Sequence, residues 1–420
     1  MNAIDRYLYP RQDVSRILSA VLWPISVVLI VQRSVFLAVN GARTDDFTPV
    51  YNAAFNFVNR LPVYTENYDT VDPHYLYPPS GSLLMAPLAK LDPLYARWLF
   101  IAASVIALIV AAYLLVRLFG YRADSWLFPA TLVFFFLSES VSNTLIFTNF
   151  NGFVLLGMVA FLLLLRTRNE LWAGVFLGLT LSVKPVLAPL LLLPLLNRQF
   201  KTLITAIGVP VLLNAVAWPI AADPRDFIDR TAPYLFEARD YYNSSLTGFG
   251  LYFGVPGWLI LVLRIAAVVM AVFSLWFLYR YYRRTDELLW LTTSSGVLLL
   301  ALWLAGSLGQ GYYSMLLFPL LATVLLRGSA LRNWPAWLAA FLFLSFEPFT
   351  SRRWEPLGRN IEYSRFTVGW MLLLTVIFFV LLFRWLDVRG HEAPGDDAAA
   401  EPEPESGGGR KEPTAATVEA

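Results

Sequence analysis

Long apolar runs separated by short polar stretches dominate the chain. The first, residues 17–39, is long enough to cross the roughly 30 Å hydrocarbon layer of a bilayer. It exceeds the core of a signal peptide and has no small-x-small cleavage site before the next polar stretch, which predicts an uncleaved first helix. Arg6, Arg11 and Arg16 precede it and predict a cytoplasmic N-terminus. Further runs cover residues 98–116, 126–137, 153–165, 202–220, 251–279, 288–305, 314–326, 335–346 and 366–386. The polar stretch 138–151 between two of them carries no Lys or Arg and reads as a loop.

One further run, 171–196, has basic clusters at both ends, Arg166/Arg168 and Arg198/Lys201. If both clusters are cytoplasmic, the segment must go out and return. Its midpoint is Lys184-Pro185, and proline cannot continue a helical ladder and biases the residue before it away from helix. Two short helices meeting at Lys184 give about twelve spans with both ends cytoplasmic. A single kinked helix with an odd span count is the alternative. On the twelve-span topology, residues 41–97, 221–250 and 347–365 form outer loops. Residues 1–386 make the membrane domain, and the Pro-, Gly-, Glu- and Ala-rich residues 387–420 a disordered cytoplasmic tail.

Composition sharpens this picture. Of 420 residues, 57% are hydrophobic and only 15% charged, against about 25% charged in soluble domains. A net charge of +2 gives no nucleic-acid surface. The absence of cysteine removes disulfides, thiol nucleophiles and Cys-ligated metals, and two histidines, His74 and His391, make no His-rich metal centre. P-loop, dinucleotide and His-Glu-x-x-His patterns are also absent. What remains is an all-α polytopic membrane protein whose chemistry rests on carboxylates, hydroxyls, amides and a few cations.

Those groups gather in the predicted outer loops. Arg43-Thr44-Asp45-Asp46-Phe47 follows the first span, and Tyr51, Ala54, Phe55 and Val58 then recur at helical spacing, predicting an amphipathic interfacial helix. Asp46 or Thr44 as a helix cap accounts for the same residues without chemistry. Asp72-Pro73-His74-Tyr75-Leu76-Tyr77-Pro78-Pro79 presents rings beside an extended Pro-Pro backbone. His74, Tyr75 and Tyr77 suit sugar binding, and an interfacial aromatic belt is the other account. Lys184 sits in an apolar run, where an ammonium is costly without a partner and suits a lipid phosphate; snorkelling to the interface is its bland counterpart. Asn243-Ser244 could contact a polar substrate or make a turn. Gln310-Gly311-Tyr312-Tyr313 breaks a span in the way cavity-lining backbone does. Arg352, Arg353, Arg359 and Arg365 face outward against the positive-inside trend and suggest an anionic headgroup site.

The order Asp45-Asp46-Phe47, Tyr77-Pro78-Pro79, then Lys184-Pro185 resembles glycosyltransferase family 87, polyprenyl-phosphate-sugar-dependent enzymes of the GT-C fold. Longer strings, TDDFTPVY (44–51), VDPHYLYPP (71–79), residues 183–199, DYYNSS (240–245), residues 292–300 and QGYYSMLLFP (310–319), resemble its mycobacterial arabinofuranosyltransferases. The likeness spans nearly all of the membrane part. It implies transfer of arabinofuranose from decaprenyl-phosphate-arabinose to an arabinan acceptor, making α-(1→3) branches in arabinogalactan and lipoarabinomannan at the periplasmic side of the plasma membrane. It maps the base to Asp46, with Asp45 adjacent, and puts Lys184 at the donor phosphate. His74, Tyr75, Tyr77, Asn243, Ser244, Gln310, Tyr312 and Tyr313 become substrate-binding candidates. No metal ligand set is implied, although Asp45 and Asp46 could hold a divalent cation with waters. Related mannosyltransferases tend to have His near positions 310–313; this chain has none. A polyprenyl-phosphate-mannose-dependent mannosyltransferase and a non-enzymatic lipid-sugar flippase are the competing readings.

Overall fold

The computed structural model describes residues 12–40, 46–346, 349–350 and 352–392. Among the described residues the regular structure is helical, with one isolated bridge between Pro62 and Ala222. Helix α1 (Gln12–Val31) continues as a π-helical segment, Gln32–Val39. An outer segment follows, holding α2 (Phe47–Val58) and α3 (Pro79–Met85). Next come α4 (Pro93–Leu118), α5 (Leu127–Leu137), α6 (Glu139–Ile146), α7 (Asn151–Arg166) and α8 (Glu170–Val183). A 3-10 segment, Pro185–Leu191, leads into α9 (Leu192–Leu196) and α10 (Phe200–Ala217). The second outer segment contains α11 (Ala232–Phe236) and α12 (Leu246–Phe253). The chain ends through α13 (Gly257–Tyr281), α14 (Glu287–Ala305), α15 (Phe318–Leu321), α16 (Trp334–Leu344) and α17 (Glu355–Glu392).

Among the described residues, six helices are long and apolar enough to cross a membrane: Val14–Val39, α4, α10, α13, α14 and Glu355–Val388. The pair α5–α6, bent by 64°, is a seventh if counted as one span. Five more apolar helices have 10–17 residues, so the twelve expected crossings are not reached by length. Three of the five adjoin polar or proline-containing breaks, at Lys184-Pro185 and at Gln310-Gly311. The expected loop at 138–151 is largely helix α6, which starts where Ser138 Oγ accepts from Val141 N. The interfacial helix is present as α2, but its buried face is Phe47, Val50, Tyr51, Ala54 and Phe57, with Phe55 and Val58 exposed. Asp45 and residues 393–420, the bulk of the expected tail, lie outside the described residues.

Side-chain bonds at helix ends show which termini share one end of the molecule. Arg166 Nη1 donates to Leu118 O, Gln199 Nε2 to Leu165 O, and Arg283 Nη1 to Leu196 O. Arg168 pairs with Glu287 at 2.8 Å, and Arg384 donates to Gly328 O. The predicted basic clusters therefore meet at one face. Lys184 lies 14 helical residues away from it along α8, about 21 Å at 1.5 Å per residue. The chain then returns through α9, where Asn197 Oδ1 accepts from Trp290 Nε1 near the start of α14. This is the out-and-back path expected for residues 171–196.

Close backbone approach supports that hairpin. A side chain at Gly178 would strike Val209, and one at Gly174 would strike Thr205 and the Thr202 carbonyl on α10. A small-xxx-small stripe of this kind lets membrane helices pack by van der Waals contact, where lipid supplies no hydrophobic drive. Helix α14 is central, with 83% of its apolar window buried, whereas 6% of the first helix's window is. Ile204, Val211 and Leu212 on α10, and Trp258 and Val272 on α13, face outward. The result is a multi-pass membrane architecture with apolar side chains on its flanks.

Candidate active site

The site is assembled at the end opposite the basic face. Its first component is the α6–α7 turn. Thr148 adopts a left-handed backbone with φ 53°, a conformation that costs a β-branched residue about 1–3 kcal/mol. Asn149 N closes the turn onto Thr144 O at 3.1 Å. The turn is clamped from outside, since Arg97 Nη2 donates to Ile146 O and Asp46 N donates to Phe147 O at 2.8 Å. The start of α2 is thereby fixed against the bundle.

Asp46 is the residue just before α2, and its side chain makes no capping bond. The capping account of Asp46 therefore fails. Its Oδ2 instead accepts from Asn149 Nδ2 at 3.2 Å, and the Tyr312 hydroxyl meets the same carboxylate. Tyr77, Tyr313 and Lys184 lie within electrostatic reach of it. Asp46 remains half-buried, while Asn149 is buried. The carboxylate is thus oriented from the protein side and still accessible.

Lys184 stands in extended backbone between α8 and the Pro185–Leu191 segment, and is 6% exposed. Its Nζ donates to Asn151 Oδ1 at 2.7 Å. The rings of Tyr77, Tyr312 and Tyr313 surround it, with centroids at 5.9, 5.4 and 5.1 Å. An ammonium has three donors, and Asn151 is its one hydrogen-bond acceptor among the described residues. Cation–π attraction makes the burial tolerable without using the remaining donors. A buried ammonium bonded to Asn151 does not fit a side chain stretched out to the interface.

Two asparagines tie these groups together. Asn149 Oδ1 accepts from Asn151 N at 3.1 Å, so one Asn-x-Asn element orients both the carboxylate and the ammonium. Sequence reading missed both residues, because they lay in a stretch read as loop and carry no charge. A polar Asn-x-Asn at the start of an apolar helix was the available signal. Gln310 joins the group through Tyr312, whose hydroxyl also contacts Gln310 Oε1.

The remaining candidates lie elsewhere. His74 is held inside the outer segment, with Nδ1 3.1 Å from Glu66 Oε2 and Nε2 3.1 Å from Thr70 O. Glu66 also accepts from Tyr75 N at 2.7 Å, and burial raises its carboxyl above the usual range against the pull of these partners. Tyr75 is buried, with its hydroxyl on Ser82 Oγ. Both His74 and Tyr75 build the loop that carries Tyr77. Asn243 and Ser244 lock the second outer segment to the break before Gln310. Asn243 Nδ2 donates to Arg239 O and Ser307 O, while its Oδ1 accepts from Ser245 N and Gly309 N. Ser244 N donates to Gly309 O, and Ser244 O accepts from Thr367 Oγ1. Asn243's amide capacity is therefore full. Arg365 is buried against Glu139 and Glu362, so it is not on the surface for a headgroup. Among the described residues no group of three or more His, Asp or Glu gathers for a metal.

A buried cation beside an oriented, accessible carboxylate suits the transfer of a group away from an anionic leaving group. The comparisons with known proteins decide the family. Glycosyltransferase family 87 matches residues 75–307. An α-(1→3)-arabinofuranosyltransferase of Mycolicibacterium smegmatis is 54% identical over 90% of this chain and 88% of its own length. The chain belongs to glycosyltransferase family 87. Relatives with the same description from Mycobacterium tuberculosis and Corynebacterium glutamicum are 50% and 42% identical, over 90% and 91% of this chain and 88% and 92% of their own lengths. No solved structure is a significant match to it. As a family 87 member it is a membrane glycosyltransferase, acting with a sugar donor and a glycan acceptor.

Proposed function

We propose that the protein is an α-(1→3)-arabinofuranosyltransferase, moving arabinofuranose from decaprenyl-phosphate-arabinose to cell-wall arabinan at the periplasmic face of the plasma membrane. The similarity to the arabinofuranosyltransferases supports the sugar and linkage. The observation that carries the chemistry is Lys184, buried with one protein acceptor beside Asp46.

In this scheme the acceptor 3-hydroxyl oxygen attacks the anomeric carbon, and the bond from that carbon to the phosphate oxygen breaks. Asp46 takes the hydroxyl proton as the new C–O bond forms. A positioned base of this kind contributes about 10²–10⁴-fold. Lys184 directs its remaining donors at the departing lipid phosphate, stabilising charge where it develops. One displacement inverts the anomeric centre, and no covalent enzyme intermediate forms. The phosphate is already a weak base and leaves without an acid, so a single carboxylate suffices where glycosidases need two.

Purified full-length protein given radiolabelled decaprenyl-phosphate-arabinose and an arabinan acceptor should form a new α-(1→3) linkage. Transfer only from polyprenyl-phosphate-mannose would replace the donor assignment. Lipid translocation without any new linkage would overturn the enzymatic reading.

A further inference from the structure

A cavity lies in the outer segments, and neither Asp46 nor Lys184 lines it. It has a volume of about 370 Å³ and is lined by Tyr68, Tyr234, Glu237, Arg239, Asp240 and Tyr241, together with Asp69, Ala238 and Leu251. That size falls in the range of small-ligand sites. We infer that this cavity is the acceptor-glycan subsite, holding a neutral furanose oligosaccharide while its terminal residue reaches Asp46. The inference rests on the transferase reading above and adds where the acceptor chain sits.

Three observations favour an uncharged polyol here. First, the wall is aromatic and rigid. Tyr68 and Tyr234 stack with centroids 4.3 Å apart, and the Arg239 guanidinium lies 4.6 Å from the Tyr234 ring and 5.5 Å from that of Tyr241. Such surfaces carry apolar faces with polar edges, as sugar rings do. Second, the rim is acidic. Asp69, Glu237 and Asp240 are exposed carboxylates, which accept hydrogen bonds from hydroxyls and repel a phosphate. Arg239, the one cation lining the cavity, is engaged with the Tyr234 hydroxyl at 2.6 Å and with the rings. Third, the cavity is joined to the reacting centre. Asn243 Nδ2 bonds both the Arg239 and the Ser307 carbonyls, and Arg239 lies within electrostatic reach of Tyr313. The same lock that places Tyr312 and Tyr313 therefore places this wall.

The wall is held without the ligand. Tyr68 hydroxyl meets Thr231 Oγ1 at 2.6 Å, Tyr241 hydroxyl donates to Thr70 O at 3.2 Å, and His74 packs edge-on against Tyr68 and Tyr234. His74 thus shapes this subsite from behind and does not touch the reacting atoms.

The test is direct binding of a short arabinofuranose oligosaccharide to the full-length protein in nanodiscs, without donor, by isothermal titration. The double variant Glu237→Ala/Asp240→Ala, which disturbs no bond of the wall, should bind the oligosaccharide about tenfold more weakly, as should Tyr241→Ala. Both should retain wild-type affinity for the lipid donor, which also reports that they are folded. Unchanged oligosaccharide affinity in both variants, with turnover intact in the wild type, overturns the subsite and leaves the transferase reading standing. Weakened donor binding with unchanged oligosaccharide binding would make the cavity a donor site and also overturn the inference. A wild type that binds the oligosaccharide but forms no arabinose linkage counts against the transferase reading alone.

Discussion

Two polar clusters sit at the same end of the bundle and differ in how their hydrogen-bonding capacity is used. Around Asn243, both amide hydrogens and both acceptor positions are engaged by backbone groups. Around Lys184, one acceptor serves three donors, and Asp46 is half-exposed beside it. The first arrangement makes a lock: filled capacity fixes the segment before Gln310 and leaves nothing for a ligand. The second makes a site, because the ring faces that hold the buried cation leave two of its donors open to a visiting anion. Both clusters consist of polar residues in a membrane protein, and hydrogen-bond accounting is what separates them.

That contrast can be broken by substitution. Asp46→Ala should reduce turnover by about 10²–10⁴-fold with normal insertion, checked by steady-state transfer of labelled donor. Lys184→Met keeps length and removes charge, and should raise the apparent donor KM by about 10- to 100-fold, the worth of a hydrogen bond to a charged group. The lock should respond differently. Asn243→Ala leaves carbonyls and N–H groups unmatched, so it should cost about 1–3 kcal/mol of stability, read as a lower melting temperature, with a smaller change in donor KM than Lys184→Met gives. A donor KM that moved with Asn243 and stayed put with Lys184 would reverse the two assignments. The smallest effect belongs to Ser245→Ala, which removes the cap bond to Gly248 N at the start of α12. About 1 kcal/mol of stability should be lost, with no kinetic change.

Much of this layout is legible in the sequence. Proline after Lys184 marks a break in an apolar run, and flanking basic clusters mark its ends, so the out-and-back path follows from local rules. Asp46, Tyr77, Lys184, Gln310, Tyr312 and Tyr313 converge as the motifs suggest. Other features depend on contacts that no local pattern carries. Glu139 and Arg365 are 226 positions apart, and only the fold shows that their charges neutralise each other. His74 beside Tyr75 reads the same whether the ring faces a sugar or a carboxylate within the loop; Glu66, eight positions upstream, decides it. Asn149 and Asn151 were hidden because a short polar helix followed by a left-handed turn looks like a loop when read along one strand of text. The expected twelve crossings are not confirmed by helix length, since broken apolar helices pattern like full spans.

The central claim is that Asp46 acts as the base in the chemical step, while Lys184 holds the donor phosphate and stabilises it as it departs. A single-turnover experiment isolates that step. Purified Asp46→Asn protein is loaded with saturating labelled decaprenyl-phosphate-arabinose, bound donor is quantified, and acceptor is then added. The account predicts donor bound at the wild-type level and transfer slowed by about 10²–10⁴-fold. Transfer at the wild-type rate from that bound donor would contradict it.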